Sequence, residues 1–135
     1  MALEIEVGAS RSAVVFDNLS RTQIVMYAGA SGDYNPLHTD EVFATKAAGY
    51  RSVFAHGMLT MGASGQVLTD WVGPGALTRY DVRFLAQVWP GDTLTTTATV
   101  EAVRNEDGHR LVDFALTTTN QDGTPVVTGT ATARV

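Results

Sequence analysis

An α+β fold, with one long helix ahead of an antiparallel sheet, is what this 135-residue chain predicts. Three observations carry that reading. Apolar residues recur near helical spacing over one extended stretch, Gly57 to about Val72. From Tyr80 onward, apolar and polar residues alternate with period two in run after run. Turn signals, Asn105-Glu106-Asp107-Gly108 and Gln121-Asp122-Gly123, separate those runs. The length is that of a single domain, 1–135, large enough to bury its own core.

In chain order, Arg11 to Phe16 is apolar and β-branched enough for a short strand. Ser20 is a good N-cap and Gln23 follows it by three residues. That capping box predicts a helix to about Ala28, ended by Gly29 and Ser31. After His38, Thr39 or Asp40 can cap a second short helix, with Val42 and Phe43 on its buried side and Gly49 at C′. The long helix repeats Met58, Met61, Gly65, Leu68 and Val72, and its methionines read as core filler. Gly62 and Gly65 each cost about 1 kcal/mol relative to alanine. Their presence implies that another backbone comes close, such as a sheet wrapped round the helix. Gly73-Pro74-Gly75 stops the helix.

Tyr80, Val82 and Phe84 then alternate with Asp81 and Arg83, and Leu94, Thr96, Ala98 and Val100 share one face of the next run. Val112, Phe114 and Leu116 do the same in the third, and Val127, Ala131, Ala133 and Val135 in the last. The many threonines suit strands and carry no catalytic message.

Bulk properties exclude several classes. The hydrophobic fraction of 44% and charged fraction of 17% are those of a soluble globular chain. A net charge of −5, with nine scattered basic residues, argues against a nucleic-acid partner, although one or two local arginines could hold a phosphate. Without cysteine there is no disulfide, thiolate nucleophile or Cys-type zinc site. Met1 to Val7 carries acids where a secretion signal would carry lysine or arginine, and no apolar run is long enough to span a bilayer. The expectation is a cytoplasmic protein with no membrane partner.

Two stretches stand apart: Ser31-Gly32-Asp33-Tyr34-Asn35-Pro36-Leu37-His38, and Ala55-His56-Gly57-Met58-Leu59-Thr60-Met61-Gly62. Gly32 permits a sharp turn, and Pro36 drives Asn35 out of the helical region. Asp33 and His38 therefore sit on a twice-kinked loop and can converge. A carboxylate and an imidazole sharing one water are a workable acid/base pair. The same residues also make an ordinary turn in which Asp and Asn bond their own backbone.

Resemblance separates these alternatives. Tyr27-Ala28-Gly29-Ala30-Ser31-Gly32-Asp33-Tyr34-Asn35-Pro36-Leu37-His38-Thr39-Asp40 closely resembles the signature of the MaoC-like, (R)-specific enoyl-CoA hydratases. The stretch from Ala55 to Gly62, and Tyr80-Asp81-Val82-Arg83-Phe84, look like that family in the same order. The resemblance covers most of the chain, and its nearest look is to the catalytic B subunits of (3R)-hydroxyacyl-ACP dehydratases.

The resemblance implies a hotdog fold, a curved antiparallel sheet wrapped round a central helix, of a kind that generally dimerises. It implies hydration of trans-2-enoyl thioesters on CoA or acyl carrier protein (ACP), and the reverse dehydration, with Asp33 and His38 holding one water. Gly57, opening the long helix, is similar to the family's oxyanion-hole residue, and an exposed amide at a helix N-terminus suits a growing negative charge. Asn35 braces the loop as the resemblance has it, or simply forms the Asn-Pro turn. His56 reads as structural, donating to a backbone carbonyl. A metal held by Asp33, His38 and His56 is the minority reading, and no metal or cofactor is expected. Arg83 could meet a pantetheine-linked phosphate, or stand as a solvated charge on a sheet face, and Arg51 and Arg79 are equally open. His109 reads as solvated. A hotdog thioesterase, or a subunit active only beside a related hotdog partner, are the other functions to weigh.

Overall fold

The computed structural model describes residues 5–135. The leading residues, on which the secretion-signal argument partly rests, lie outside that range. Strand β1 (Ser10–Phe16) is followed by helix α1 (Arg21–Ser31), the short helix α2 (Pro36–Thr39), a π-helical turn (Phe43–Ala47) and the long helix α3 (Gly57–Val72). Strands β2 (Leu77–Phe84), β3 (Leu94–Glu106), β4 (His109–Thr119) and β5 (Pro125–Arg134) complete the chain. The strands form one sheet of order β1-β3-β4-β5-β2, antiparallel at every junction. Helix α3 packs across β1, β2, β3 and β5, which is the hotdog arrangement. No helix among the described residues is long and apolar enough to cross a membrane.

The capping box at α1 is present in both directions: Ser20 Oγ accepts from the Gln23 amide, and Gln23 Oε1 accepts from the Ser20 amide. The helix runs past Ala28 and Gly29, where the sequence predicts its end, as far as Ser31. Gly32 stops it instead, at φ +76°, with its amide bonded to the Ala28 carbonyl. A left-handed residue closes a helix; a glycine with helical torsions only weakens it.

The segment after Asp40 also departs from expectation. Asp40 caps it, its carboxylate accepting from the Phe43 amide, and Gly49 follows at φ +79°. But the chain opens into a π-helical turn that rotates Ala44 into the core and leaves Val42 63% exposed and Phe43 partly so.

Helix α3 has the predicted bounds, and its buried stripe is Thr60, Ser64, Gly65, Val67, Leu68, Trp71 and Val72, which includes Gly65, Leu68 and Val72 of the expected repeat but neither methionine. Met58 is not core filler, since it is 59% exposed at the first turn. Gly65 does meet a close neighbour: a Cβ there would lie 2.8 Å from the Tyr80 ring, whose hydroxyl donates to the Met61 carbonyl. The neighbour is a side chain of β2 rather than a backbone. Nothing among the described residues lies close enough to explain Gly62.

Alternation holds through β3 and β4, whereas in β5 Val126 and Thr132 are buried beside the expected Val127, Ala131 and Ala133, and Val135 lies past the strand's end and is 38% exposed. Leu94, Thr96, Ala98 and Val100 of β3 and Val112, Phe114 and Leu116 of β4 all face inward against α3. The β3–β4 hairpin narrows to two residues, Asp107 and Gly108, both at positive φ, as a type I′ turn requires. Three hydroxyls also enter the core. Thr118 Oγ1 lies 2.7 Å from Ser64 Oγ of α3 and 2.6 Å from Thr96 Oγ1 of β3.

Candidate active site

The loop between α1 and α2 is braced by its own side chains. Ser31 Oγ accepts from the Asp33 amide, Asp33 Oδ1 from the Asn35 amide, and Asn35 Oδ1 from the Leu37 amide. Asn35 thereby caps α2, with Pro36 at its first helical position. Both readings of Asn35 are one geometry: the turn former is the brace.

Helix α2 delivers His38, buried, against the strand-like stretch that leads to α3. Its Nδ1 lies 2.7 Å from the Phe54 carbonyl. A carbonyl only accepts, so Nδ1 carries the proton and Nε2 presents a lone pair. His56 is fixed by the same logic, with Nε2 donating to the Asp33 carbonyl at 3.0 Å. The two imidazoles stack at 3.9 Å between centroids, and Tyr27 meets the edge of His56 at 4.8 Å. His56 thus bonds a backbone carbonyl, and that carbonyl is the one of Asp33.

A carboxylate oxygen of Asp33 and a ring nitrogen from each histidine lie within 4.8 Å of one another. One water spans such a gap, since two hydrogen bonds of about 2.8 Å reach across it. For a metal the fit is poor. Stacked rings inclined by 25° send their lone pairs side by side rather than toward a common centre.

Burial lowers the pKa of His56 from its usual value, and the neighbouring His38 lowers it further, against the opposing bond to the Asp33 carbonyl. Its Nδ1 is buried without a partner among the described residues. The unfolded chain therefore binds a proton at His56 more readily than the folded one. Stability is fully present above about pH 6.5 and declines as pH falls through the lowered folded pKa. Urea midpoints measured from about pH 7.5 down to about pH 5 are expected to fall, and to fall less steeply in His56→Gln.

Gly57 opens α3. Its N-cap, His56, offers no side-chain bond to the first turn, so the leading amides stay open at the positive end of the helix. A Cβ on Gly57 would lie 3.0 Å from the tip of the Phe84 ring. Glycine lets that ring close one wall of a cleft of about 300 Å³, shared with Phe54, Thr60, Leu85, Val88 and Val127. Thr60 was not singled out from sequence. Its hydroxyl is buried without a partner among the described residues, and it lines the cleft. The signal available was its place one turn after Gly57, on the same face of the helix.

Arg83 lies elsewhere. Tyr80, Val82 and Phe84 face α3, so period two turns Arg83 to the outer side of the sheet, beside Asp81, Thr128 and Thr130. The structure brings Asp33, Asn35, His38, His56 and Gly57 together and leaves Arg83 apart.

Known proteins share this chain's sequence pattern and fold. The MaoC like domain family matches residues 4–122. An (R)-specific enoyl-CoA hydratase of Rhodospirillum rubrum is 36% identical over 132 residues, covering 96% of this chain and 89% of its own. An (R)-hydratase from A. caviae involved in PHA biosynthesis superposes with a TM-score of 0.86 at 26% identity, over 99% of both chains. The ChsH1-ChsH2 complex from Mycobacterium tuberculosis contains a chain matched at a TM-score of 0.82 and 25% identity, over 96% of this chain and 98% of that one. With a family match over most of its length and a relative of that similarity, the chain belongs to the MaoC-like family of hydratases and dehydratases.

Proposed function

We propose that this protein, acting as one domain, adds water across the double bond of a trans-2-enoyl thioester to give the (3R)-hydroxyacyl thioester, and catalyses the reverse dehydration. The observation that carries it is the water-sized gap between Asp33 and His38 beside the open amides at Gly57. A water held there bonds the Asp33 carboxylate and His38 Nε2. Its oxygen attacks C3 while its proton passes to the pair, and a proton returns from the pair to C2, so that one water is consumed and the C–S bond stays intact. Negative charge collects on the C1 oxygen, where the Gly57 amide and the helix terminus stabilise it. His56 holds the Asp33 backbone and stays neutral beside His38.

The apolar surface of Met58, Leu59, Gly62 and Tyr27 at the start of α3 supports assembly with a second hotdog chain, a copy of this one or a relative. The neighbouring ChsH1-ChsH2 structure is a complex of two named subunits.

The test is loss of enoyl absorbance on trans-2-enoyl-CoA substrates of increasing length, with chiral analysis of the product. Hydration to the (3R) product, abolished in Asp33→Asn, is the expected result. Release of free thiol with the double bond untouched would make the protein a thioesterase instead.

A further inference from the structure

A wall of aromatic rings that the hydration chemistry does not use meets the cleft at Phe54. Tyr50, Phe54 and Trp89 meet as a trio, with centroids 4.9 Å apart for Tyr50 and Phe54, 5.8 Å for Phe54 and Trp89, and 6.4 Å for Tyr50 and Trp89. Phe54 starts this wall at the active site. Its carbonyl holds His38, its ring meets the His38 ring edge-on, and it lines the cleft. At the far end the Arg51 guanidinium lies 4.3 Å above the Trp89 ring.

Arg51 is exposed and has no carboxylate within ion-pair distance among the described residues, whereas Arg21, Arg79 and Arg104 each lie against one. Its backbone is well placed. Gly49 turns the chain at φ +79°, and the Tyr50 amide bonds the Ala44 carbonyl. A guanidinium on an indole face is held by the ring while its in-plane N–H donors point away from it. Two parallel donors of that kind suit a phosphate. In a chain of net charge −5, an exposed cation with no carboxylate beside it, joined through Trp89 to the cleft-lining Phe54, is a landing point for an anionic group.

We propose that Arg51, seated on Trp89, anchors the phosphate of the group that carries the acyl thioester, and that the Tyr50-Phe54-Trp89 wall lines the path of the pantetheine arm from Gly57 to the surface. This rests on the enoyl-thioester reading of the site. It gives Arg51 the role that sequence alone offered to Arg83 and left open for Arg51 and Arg79. The phosphate can belong to CoA or to a carrier protein's phosphopantetheine, and the chemistry of recognition is the same.

Arg51→Met keeps an apolar stem over Trp89 and removes the charge. With crotonyl-CoA the expected KM rises about tenfold, the low end of what a hydrogen bond to a charged group contributes, with kcat within about twofold of wild type. With the crotonyl thioester of N-acetylcysteamine, which has no phosphate, the variant should match wild type, and Arg51→Lys should recover part of the loss on CoA. Crotonyl on a carrier protein separates the sources: a loss on one substrate alone assigns the phosphate to that carrier, and a loss on both assigns the shared group. Unchanged kcat/KM on both carriers overturns the anchor, and so does an equal loss with the phosphate-free thioester. Calorimetric titration with CoA reads the same contact without turnover. A Kd about tenfold weaker in Arg51→Met supports the anchor even if the hydratase reading fails, and equal affinities, or no binding by wild type, overturn a CoA anchor.

Discussion

His38→Ala is expected to lower kcat for enoyl-thioester hydration by about 10²–10⁴-fold, the usual worth of a positioned acid/base group. The imidazole is oriented by its bond to the Phe54 carbonyl, and alanine removes one of the two groups that hold the water and exchange its protons. Asp33→Asn should lose activity by a similar factor for a cleaner reason. An amide oxygen can still accept from the Asn35 amide, so the loop keeps its brace and only the carboxylate's charge and basicity are removed. The pair acts on one water, so the double variant should be little worse than the poorer single variant. Steady-state kinetics on variants whose circular dichroism matches wild type decides the matter. Two folded variants retaining near wild-type turnover would sink the assignment of both residues.

Gly129→Ala is expected to be the most damaging single-methyl change in the sheet. Gly129 sits on β5 between Val82 of β2 and Leu116 of β4. A Cβ there would overlap the Asp81 carbonyl oxygen and come within 2.9 Å of Val82 Cγ1. The first obstacle is backbone locked in a ladder, which cannot swing aside as a side-chain tip does. Overpacking of this kind costs about 3 kcal/mol, which for a chain of this size lowers Tm by roughly 10 °C. A melting temperature within about 2 °C of wild type would show that β2 yields more easily than its pairing implies.

How far the sequence could be read depended on how local each cause was. The box at Ser20 and Gln23, the Asp107-Gly108 turn and the alternation of β3 and β4 depend on neighbours in the chain, and they stand as read. The bounds of α3 followed from glycine and proline punctuation. Its exposed face did not, because periodicity gives a spacing and not a direction. Met58 and Ser64 lie on the same helix, and only the arrival of β3 and β4 decides which of them is covered. The Asp33 and His38 loop was readable as a motif. The stacking of His38 on His56, and the use of the Asp33 carbonyl rather than its carboxylate to hold His56, join residues 18 and 23 positions apart in contacts no spacing rule contains. Arg51 and Trp89 are further apart still, and their contact follows from the fold alone.

The hydroxyl chain of Ser64, Thr118 and Thr96 gives α3 a property that a purely aliphatic interface would lack. Methyl groups tolerate a helix that slips along its axis or rolls slightly, since one apolar contact replaces another at small cost. Paired hydroxyls do not. Any slip that parts Ser64 from Thr118 leaves buried oxygens without partners, at about 1–3 kcal/mol for each. The chain therefore works as an indexing pin two turns below Gly57, setting the helix at one height and one rotation against the sheet. Its consequence is felt at the other end: the Gly57 amide, which we propose faces the reacting oxygen, is held at one position.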